Sequence, residues 1–209
     1  MKLFFVGFAL FSTFLGFQNT PQSANSRLAI GATAPLQTLE MTGVDNAQHS
    51  LTSVAKTNGL LVIFTSNVCS YVVGNNDMEG WNNRYEFYNR AASHLDYGVV
   101  LVNSNALHRS TTESLSAMQT LATANNYVMP YVVDTDGDLA NAFGAETTPD
   151  VFLFDENFEL IYEGSIDANP ESSAAVTKQP LIHALEQGLK NYPVSLPSTP
   201  NVGCDLEIE

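Results

Sequence analysis

The stretch Leu60-Leu61-Val62-Ile63-Phe64-Thr65-Ser66-Asn67-Val68-Cys69-Ser70-Tyr71 constrains this chain more than any other. A five-residue apolar run bounded by polar residues reads as a buried strand. It delivers Cys69 into a short polar turn, and an aromatic helical pattern follows. A thiol at such a turn meets unpaired backbone N–H groups and the positive end of a helix dipole, both of which favour the thiolate. The expected unit is strand, cysteine turn, helix.

The residues before this unit set the compartment in which the cysteine is read. Met1 and Lys2 precede residues 3–17, which are apolar, small or hydroxylic and carry no charge. That stretch is short for a membrane span, which needs ~20 apolar residues, and it matches a secretory leader. The chain is therefore divided into a signal peptide and leader at 1–24, a globular domain at 25–191 and a proline-rich tail at 192–209 that carries Cys204. The expected location is exported, periplasmic or extracellular, with no stable membrane association after leader cleavage between Thr20 and Ser26. In an oxidising compartment an even pair of cysteines is a candidate disulfide, and two cysteines admit one pairing, Cys69 with Cys204.

A length of 209 residues suits one domain with a sizeable core, and a hydrophobic content of 44% argues against disorder. The net charge of −14 argues against nucleic acid as a partner, because phosphate binding needs Lys and Arg.

Downstream, Trp81, Tyr85, Tyr88, Ala92 and Leu95 recur at helical spacing and predict a helix with an aromatic core face. Val99-Val100-Leu101-Val102 is a second buried strand ending in Asn103-Ser104-Asn105. Leu115, Met118 and Ala122 mark another helix, with Glu113 read in its acidic first turn. Tyr131-Val132-Val133 is a short strand, and residues 139–143 a short helix closed by Gly144. Thr147-Thr148-Pro149-Asp150 leads into a hairpin of residues 151–154 and 159–162, and Leu181, Ile182, Leu185 and Leu189 form a helix with Pro180 near its start. Near the domain's beginning, residues 36–41 and 49–51 suggest a hairpin, and residues 53–58 a helical turn. Pro193, Pro197 and Pro200 argue against regular structure in the tail. Strands alternating with helices predict an α/β fold.

In this order the residues resemble the thioredoxin fold, and their motifs resemble the thioredoxin-like redoxins related to the alkyl hydroperoxide reductase and thiol-specific antioxidant group. That branch carries Phe-x-Cys-Asn-x-Cys-Pro-Tyr/Phe-Val where this chain has Phe64-Thr65-Ser66-Asn67-Val68-Cys69-Ser70-Tyr71-Val72. Further matches are Val102-Asn103-Ser104-Asn105, Ala142-Phe143-Gly144-Ala145, Thr148-Pro149-Asp150-Val151, Gly164-Ser165-Ile166-Asp167 and Pro200-Asn201-Val202-Gly203-Cys204. The resemblance implies a central mixed sheet flanked by helices, with an N-terminal hairpin extension. It also implies a cis Pro149 facing the cysteine turn and a Thr148 whose backbone is offered to an extended substrate, so these two residues are the expected substrate-binding pair. No cofactor is implied.

Two departures bear on function. Ser66 stands where the family has its first cysteine, and Ser70 where it has proline, so no dithiol can form within the turn. Ser66-Asn67-Val68-Cys69 instead resembles the Thr/Ser-x-x-Cys of peroxiredoxins, in which the hydroxyl hydrogen-bonds to the thiolate that attacks a peroxide. That chemistry yields a sulfenic acid, which a second thiol condenses to a disulfide, and Cys204 is the available partner. The peroxiredoxin proline is missing from residues 59–63, and Arg84, Arg90 and Arg109 are the arginines available for activation. Cys69, Ser66 and Cys204 are thus the candidate catalytic residues, acting on a peroxide or on protein thiols and disulfides with an unidentified thiol reductant. A structural Cys69–Cys204 bridge in a non-catalytic binding module is the competing expectation, and closing so long a loop would contribute roughly 4–5 kcal/mol in the chain-entropy model. Asp134-Thr135-Asp136-Gly137-Asp138 lacks the glycine and glutamate positions of a calcium loop, and the four histidines show no ligand spacing.

Overall fold

A computed structural model describes residues 26–189 and 192–208. The leader at 1–24 lies outside the described residues.

In chain order the elements are β1 (Met41–Gly43), β2 (Gln48–His49), α1 (Leu51–Val54), β3 (Leu60–Thr65), α2 (Ser70–Val73), α3 (Tyr85–His94), β4 (Gly98–Asn103), α4 (Leu115–Ala124), β5 (Tyr131–Val133), α5 (Asp138–Phe143), β6 (Thr147–Thr148), β7 (Asp150–Phe154), β8 (Leu160–Gly164), α6 (Pro180–Gly188) and β9 (Cys204–Asp205). Seven strands form one mixed sheet in the order β2-β1-β5-β4-β3-β7-β8, and β6 and β9 form a separate two-stranded ribbon. β3 runs parallel to β4 and antiparallel to β7. This is the thioredoxin-like α/β architecture, with its N-terminal hairpin, that the order of motifs implied.

The core follows from the two-residue period of the strands. Leu61, Ile63, Val99, Leu101, Val151 and Leu153 face one side, where Trp81, Tyr85, Tyr88 and Ala92 of the α3 region pack with Met118 of α4 and Leu181 and Leu185 of α6. Leu60, Val62, Phe64, Val100, Val102 and Phe152 face the other, against Leu51 of α1 and Leu139 and Phe143 of α5. Both faces of β3 and β4 are covered, which is why these strands read as unbroken apolar runs.

The N-terminal hairpin lies later than its apolar alternation suggested. Residues 35–38 form a turn, and only Met41–Gly43 pairs back, with Gln48–His49. Ser50 then caps α1 in a reciprocal arrangement with Ser53, so the helical turn starts at Leu51 rather than at Ser53. Gly144 closes α5 in the left-handed conformation, at φ 63°. The tail also departs from expectation, since Cys204–Asp205 forms a strand beyond the last proline. Proline bars a residue from donating to a ladder, but it suits extended chain.

Candidate active site at the Cys69 turn

β3 ends at Thr65, and the next four residues turn into α2, with Cys69 as the residue preceding that helix. Ser66 builds the turn. Its Oγ accepts from the amides of Val68 and Cys69, both at 3.1 Å, and donates to Glu113 Oε1. The Glu113 carboxylate also accepts from the Asn67 amide at 2.9 Å and from Asn103 Nδ2 at 2.6 Å. Ser66, Asn103 and Glu113 are 3%, 0% and 1% exposed, so this is a fully buried polar network with its donors matched to one carboxylate. Tyr131 OH donates to Asn67 Oδ1 at 2.9 Å, which ties the turn to β5.

Arg109 braces the network from behind. Its guanidinium donates to Asn103 Oδ1 and to the backbone carbonyls of Asn103, Glu113 and Asp134. Burial lowers its pKa from the ordinary arginine value, against the pull of Glu113, Tyr131 and Asp134. Asp134, in the segment dismissed as a calcium loop, takes amide hydrogens from Leu139 and Ala140 and so caps α5.

Cys204 reaches the turn from the far end of the chain. Cys69 and Cys204 are joined by a disulfide, with Cα atoms 5.7 Å apart and a sequence separation of 135. Cys69 is buried at 4% exposure, whereas Cys204 is half-buried. Cys204 stands opposite Thr148 in antiparallel register, and Asp205 opposite Thr147. The Thr148–Pro149 bond is cis, and Thr148 O lies 3.1 Å from Cys69 Sγ. The five residues singled out in the sequence, Ser66, Cys69, Thr148, Pro149 and Cys204, are therefore brought to one place. Thr148 Oγ1 is buried with no hydrogen-bond partner among the described residues.

The tail is a strap across one end of the sheet. Glu163 N donates to Pro197 O, and Thr199 N donates to Glu163 O. Thr199 Oγ1 accepts from the Ser165 amide, and Asn201 Nδ2 donates to Asp150 Oδ1. Beyond the disulfide, Leu206 N donates to Glu146 O at 2.8 Å, Glu207 contacts His108 at 2.8 Å, and the Glu207 amide donates to Asn105 Oδ1.

Asp150, the residue after Pro149, is wholly buried and is held by Arg27 through two bonds of 2.8 and 2.9 Å. Arg27 also bonds Glu163 and lies 4.9 Å over the Phe152 ring. Burial disfavours its charge, but Asp150 and Glu163 outweigh that and hold the guanidinium above its ordinary pKa. An acidic pair behind the proline loop is thus bridged by one arginine from the start of the domain.

Sequence reasoning missed Glu113, Asn103, Arg27 and Asp150 as parts of the site. Glu113 was read in the first turn of a helix, but α4 begins after Ser114, whose Oγ caps Ala117 N, and this leaves Glu113 outside the helix and directed at the cysteine turn. The three arginines considered for peroxide activation divide differently. Arg84 binds the buried Asp167, Arg109 is spent on the network above, and Arg90 is exposed.

The Redoxin family model matches residues 29–178 of this chain. No curated protein sequence matches it. Among solved structures it is similar to a hypothetical protein from Sinorhizobium meliloti 1021, with 26% identity and a TM-score of 0.77 over 90% of this chain and 99% of that one. An uncharacterized conserved protein from Geobacillus kaustophilus gives 23% identity and a TM-score of 0.77 over 91% and 97%. The exposed lipoprotein thioredoxin from Streptococcus pneumoniae gives 20% identity and a TM-score of 0.52 over 73% and 98%.

Proposed function

The chain belongs to the Redoxin family, and on that premise we propose that it is an exported thiol–disulfide oxidoreductase working through the Cys69–Cys204 pair on protein thiols or disulfides. The observation that carries this reading is the strand Cys204–Asp205, seated antiparallel to Thr148 beside the cis Pro149 and bonded through sulfur to Cys69. A cysteine in an extended segment, docked on that edge, is what a protein substrate would present. Export is supported by the leader-like residues 3–17, and the pneumococcal thioredoxin of the same fold is described as an exposed lipoprotein. Among the described residues no helix is long and apolar enough to cross a membrane.

The difference in exposure sets the direction of exchange. A thiolate of a dithiol reductant attacks Cys204 Sγ, on the less buried of the two residues, and Cys69 leaves with the electron pair as a thiolate at the start of α2. The reductant's second thiolate then closes its own disulfide and releases Cys204 as a thiolate. Cys69 attacks a substrate disulfide and expels one substrate thiolate. Cys204 displaces the second from the mixed disulfide and restores the bridge. Two electrons pass from the reductant to the substrate.

Ser66 has a positioning role here. Its hydroxyl hydrogen is directed at Glu113, and its oxygen fixes the Cys69 amide. This favours disulfide exchange over peroxide reduction, since the peroxide reading asks that hydroxyl to hydrogen-bond the sulfur, and Arg84 and Arg109 are engaged elsewhere. The burial of Cys69 and the bonds of the strap favour a second reading, a binding module with a structural bridge. Reduction of insulin by dithiothreitol decides between them. The full-length chain should accelerate it, and Cys69→Ser should abolish the acceleration. Equal rates with wild type, with Cys69→Ser and with no protein would leave only the structural bridge.

A further inference from the structure

The register of the tail depends on one residue. A Cβ on Gly203 would stand 2.4 Å from Thr148 O and 2.8 Å from Thr148 C. Both are backbone atoms of a residue only 1% exposed, so no side-chain movement can make room. The cysteine that follows is then carried opposite Thr148, with Asp205 exposed opposite Thr147. Leu206 is fixed by the bond from its amide to Glu146 O, and its side chain packs on the apolar cluster that contains Leu139 and Phe143. Three demands are therefore written into the edge: glycine before the cysteine, no restriction immediately after it, and an apolar residue at the second position after it.

Among the described residues no other strand lies on this edge, since β6 pairs with β9 alone, so departure of residues 203–208 bares the main chain of Thr147 and Thr148, and such an edge is a template for an extended segment. The hold of residues 197–201 on Glu163, Ser165 and Asp150 is made by their own bonds and does not run through residues 203–208.

We propose that this edge is a selective binding site for extended segments of the form Gly-Cys-x-apolar in partner proteins, and that residues 203–206 are its internal occupant. The proposal rests on the redox reading above and adds the sequence that the site accepts. When the partner's cysteine is in a disulfide, the Cys69 thiolate attacks that sulfur, a Cys69–partner bond forms and the partner's other sulfur leaves as a thiolate. The partner glycine then lies where Gly203 lay. Cys204 returns to attack Cys69 Sγ, and the partner's cysteine departs as a thiolate while the segment gives way to the tail.

The test uses reduced full-length Cys204→Ser protein and the octapeptide Asn-Val-Gly-Cys-Asp-Leu-Glu-Ile, its cysteine carried as a mixed disulfide with thionitrobenzoate. Two further peptides have alanine in place of the glycine or lysine in place of the leucine, and the small bis-thionitrobenzoate disulfide is the control. Release of thionitrobenzoate and the mass of the Cys69–peptide adduct are followed. The glycine peptide should react more than about tenfold faster than the alanine peptide, a factor worth 1.4 kcal/mol, and faster than the lysine peptide. Equal rates for the three, with the small disulfide reacting, would overturn the site's selectivity and leave the redox reading standing. Silence toward the small disulfide as well would overturn both. If Cys204→Ser does not fold, full-length Gly203→Ala replaces it. Its bridge should open in dithiothreitol more than about tenfold faster than that of wild type, and an unchanged rate would overturn the proposal.

Discussion

The two sulfurs of the bridge are held by opposite means. Cys69 stands on a turn fixed by buried side chains, with Ser66, Asn67 and Asn103 all donating to the Glu113 carboxylate. Cys204 stands on a strap fixed at the edge of the domain by backbone bonds and by the side chains of Thr199, Asn201 and Glu207, with its neighbours exposed or half-exposed. A buried polar network is costly to disturb, because every donor that loses its acceptor keeps its desolvation penalty. Edge bonds can be exchanged for bonds to water or to another strand. The bridge therefore joins a sulfur on a buried, networked turn to one on an edge strand, and the proposed disulfide exchange needs the second to detach while the first stays.

The comparison can be broken at its strongest point first. Cys204→Ser should lower stability by about 5 kcal/mol in the chain-entropy model, given the 135-residue separation. Guanidinium unfolding measures this, and hydrogen exchange on the same variant should show residues 203–208 losing protection while the turn at 66–73 keeps its own. Uniform loss in both regions would mean that the turn depends on the bridge. Glu113→Ala strikes the other side and leaves two buried donors, Ser66 Oγ and Asn103 Nδ2, and the half-buried Asn67 amide without their acceptor. A loss of about 3 kcal/mol is expected, with the Cys69 turn now gaining exchange and the strap not. A change under about 0.5 kcal/mol would show that the network does not hold the turn. Ser66→Ala removes the acceptor of the Val68 and Cys69 amides and one of the donors to Glu113, and should cost about 1–2 kcal/mol by the same unfolding measurement.

A further effect is read by pH. Burial raises Tyr162 from 10.0 to about 12, against its bonds with Thr199 and Ser165. The unfolded tyrosine ionises first, so this contribution is whole below pH 10 and is lost as pH rises toward 12. Between those limits wild type should lose stability more steeply than Tyr162→Phe, by about 1 kcal/mol per pH unit. Parallel profiles would mean that the Tyr162 hydroxyl is not held in the buried setting that raises its pKa.

The fold was legible wherever one face or both faces of an element are apolar. β3, β4 and β5 are short buried runs, and Trp81, Tyr85, Tyr88 and Ala92 meet the core at the expected helical spacing. The sulfur site was legible in part because Ser66, Cys69, Thr148 and Pro149 occur in local motifs. Glu113 was not, since an isolated acid before a helix looks the same whether it caps that helix or turns away to a strand end 47 residues distant. Arg27 and Asp150 are 123 residues apart, and no periodicity links them. The tail was misread for another physical reason, because proline signals a lack of ladder bonds, whereas this strap is anchored through Thr199, Asn201 and Leu206, which lie beside its prolines or beyond them.

The central claim is that the Cys69–Cys204 bridge is a reversible two-electron couple in the folded protein. The direct measurement equilibrates the purified full-length chain against graded ratios of reduced to oxidised dithiothreitol, alkylates free thiols and weighs the products, with near-ultraviolet circular dichroism recorded in parallel. The account predicts that both cysteines become alkylated together along a single two-electron curve, that the dichroism of the folded core persists, and that the bridge returns when the reductant is withdrawn. A bridge that stays closed at every ratio until denaturant is added would contradict it and make the disulfide a structural staple.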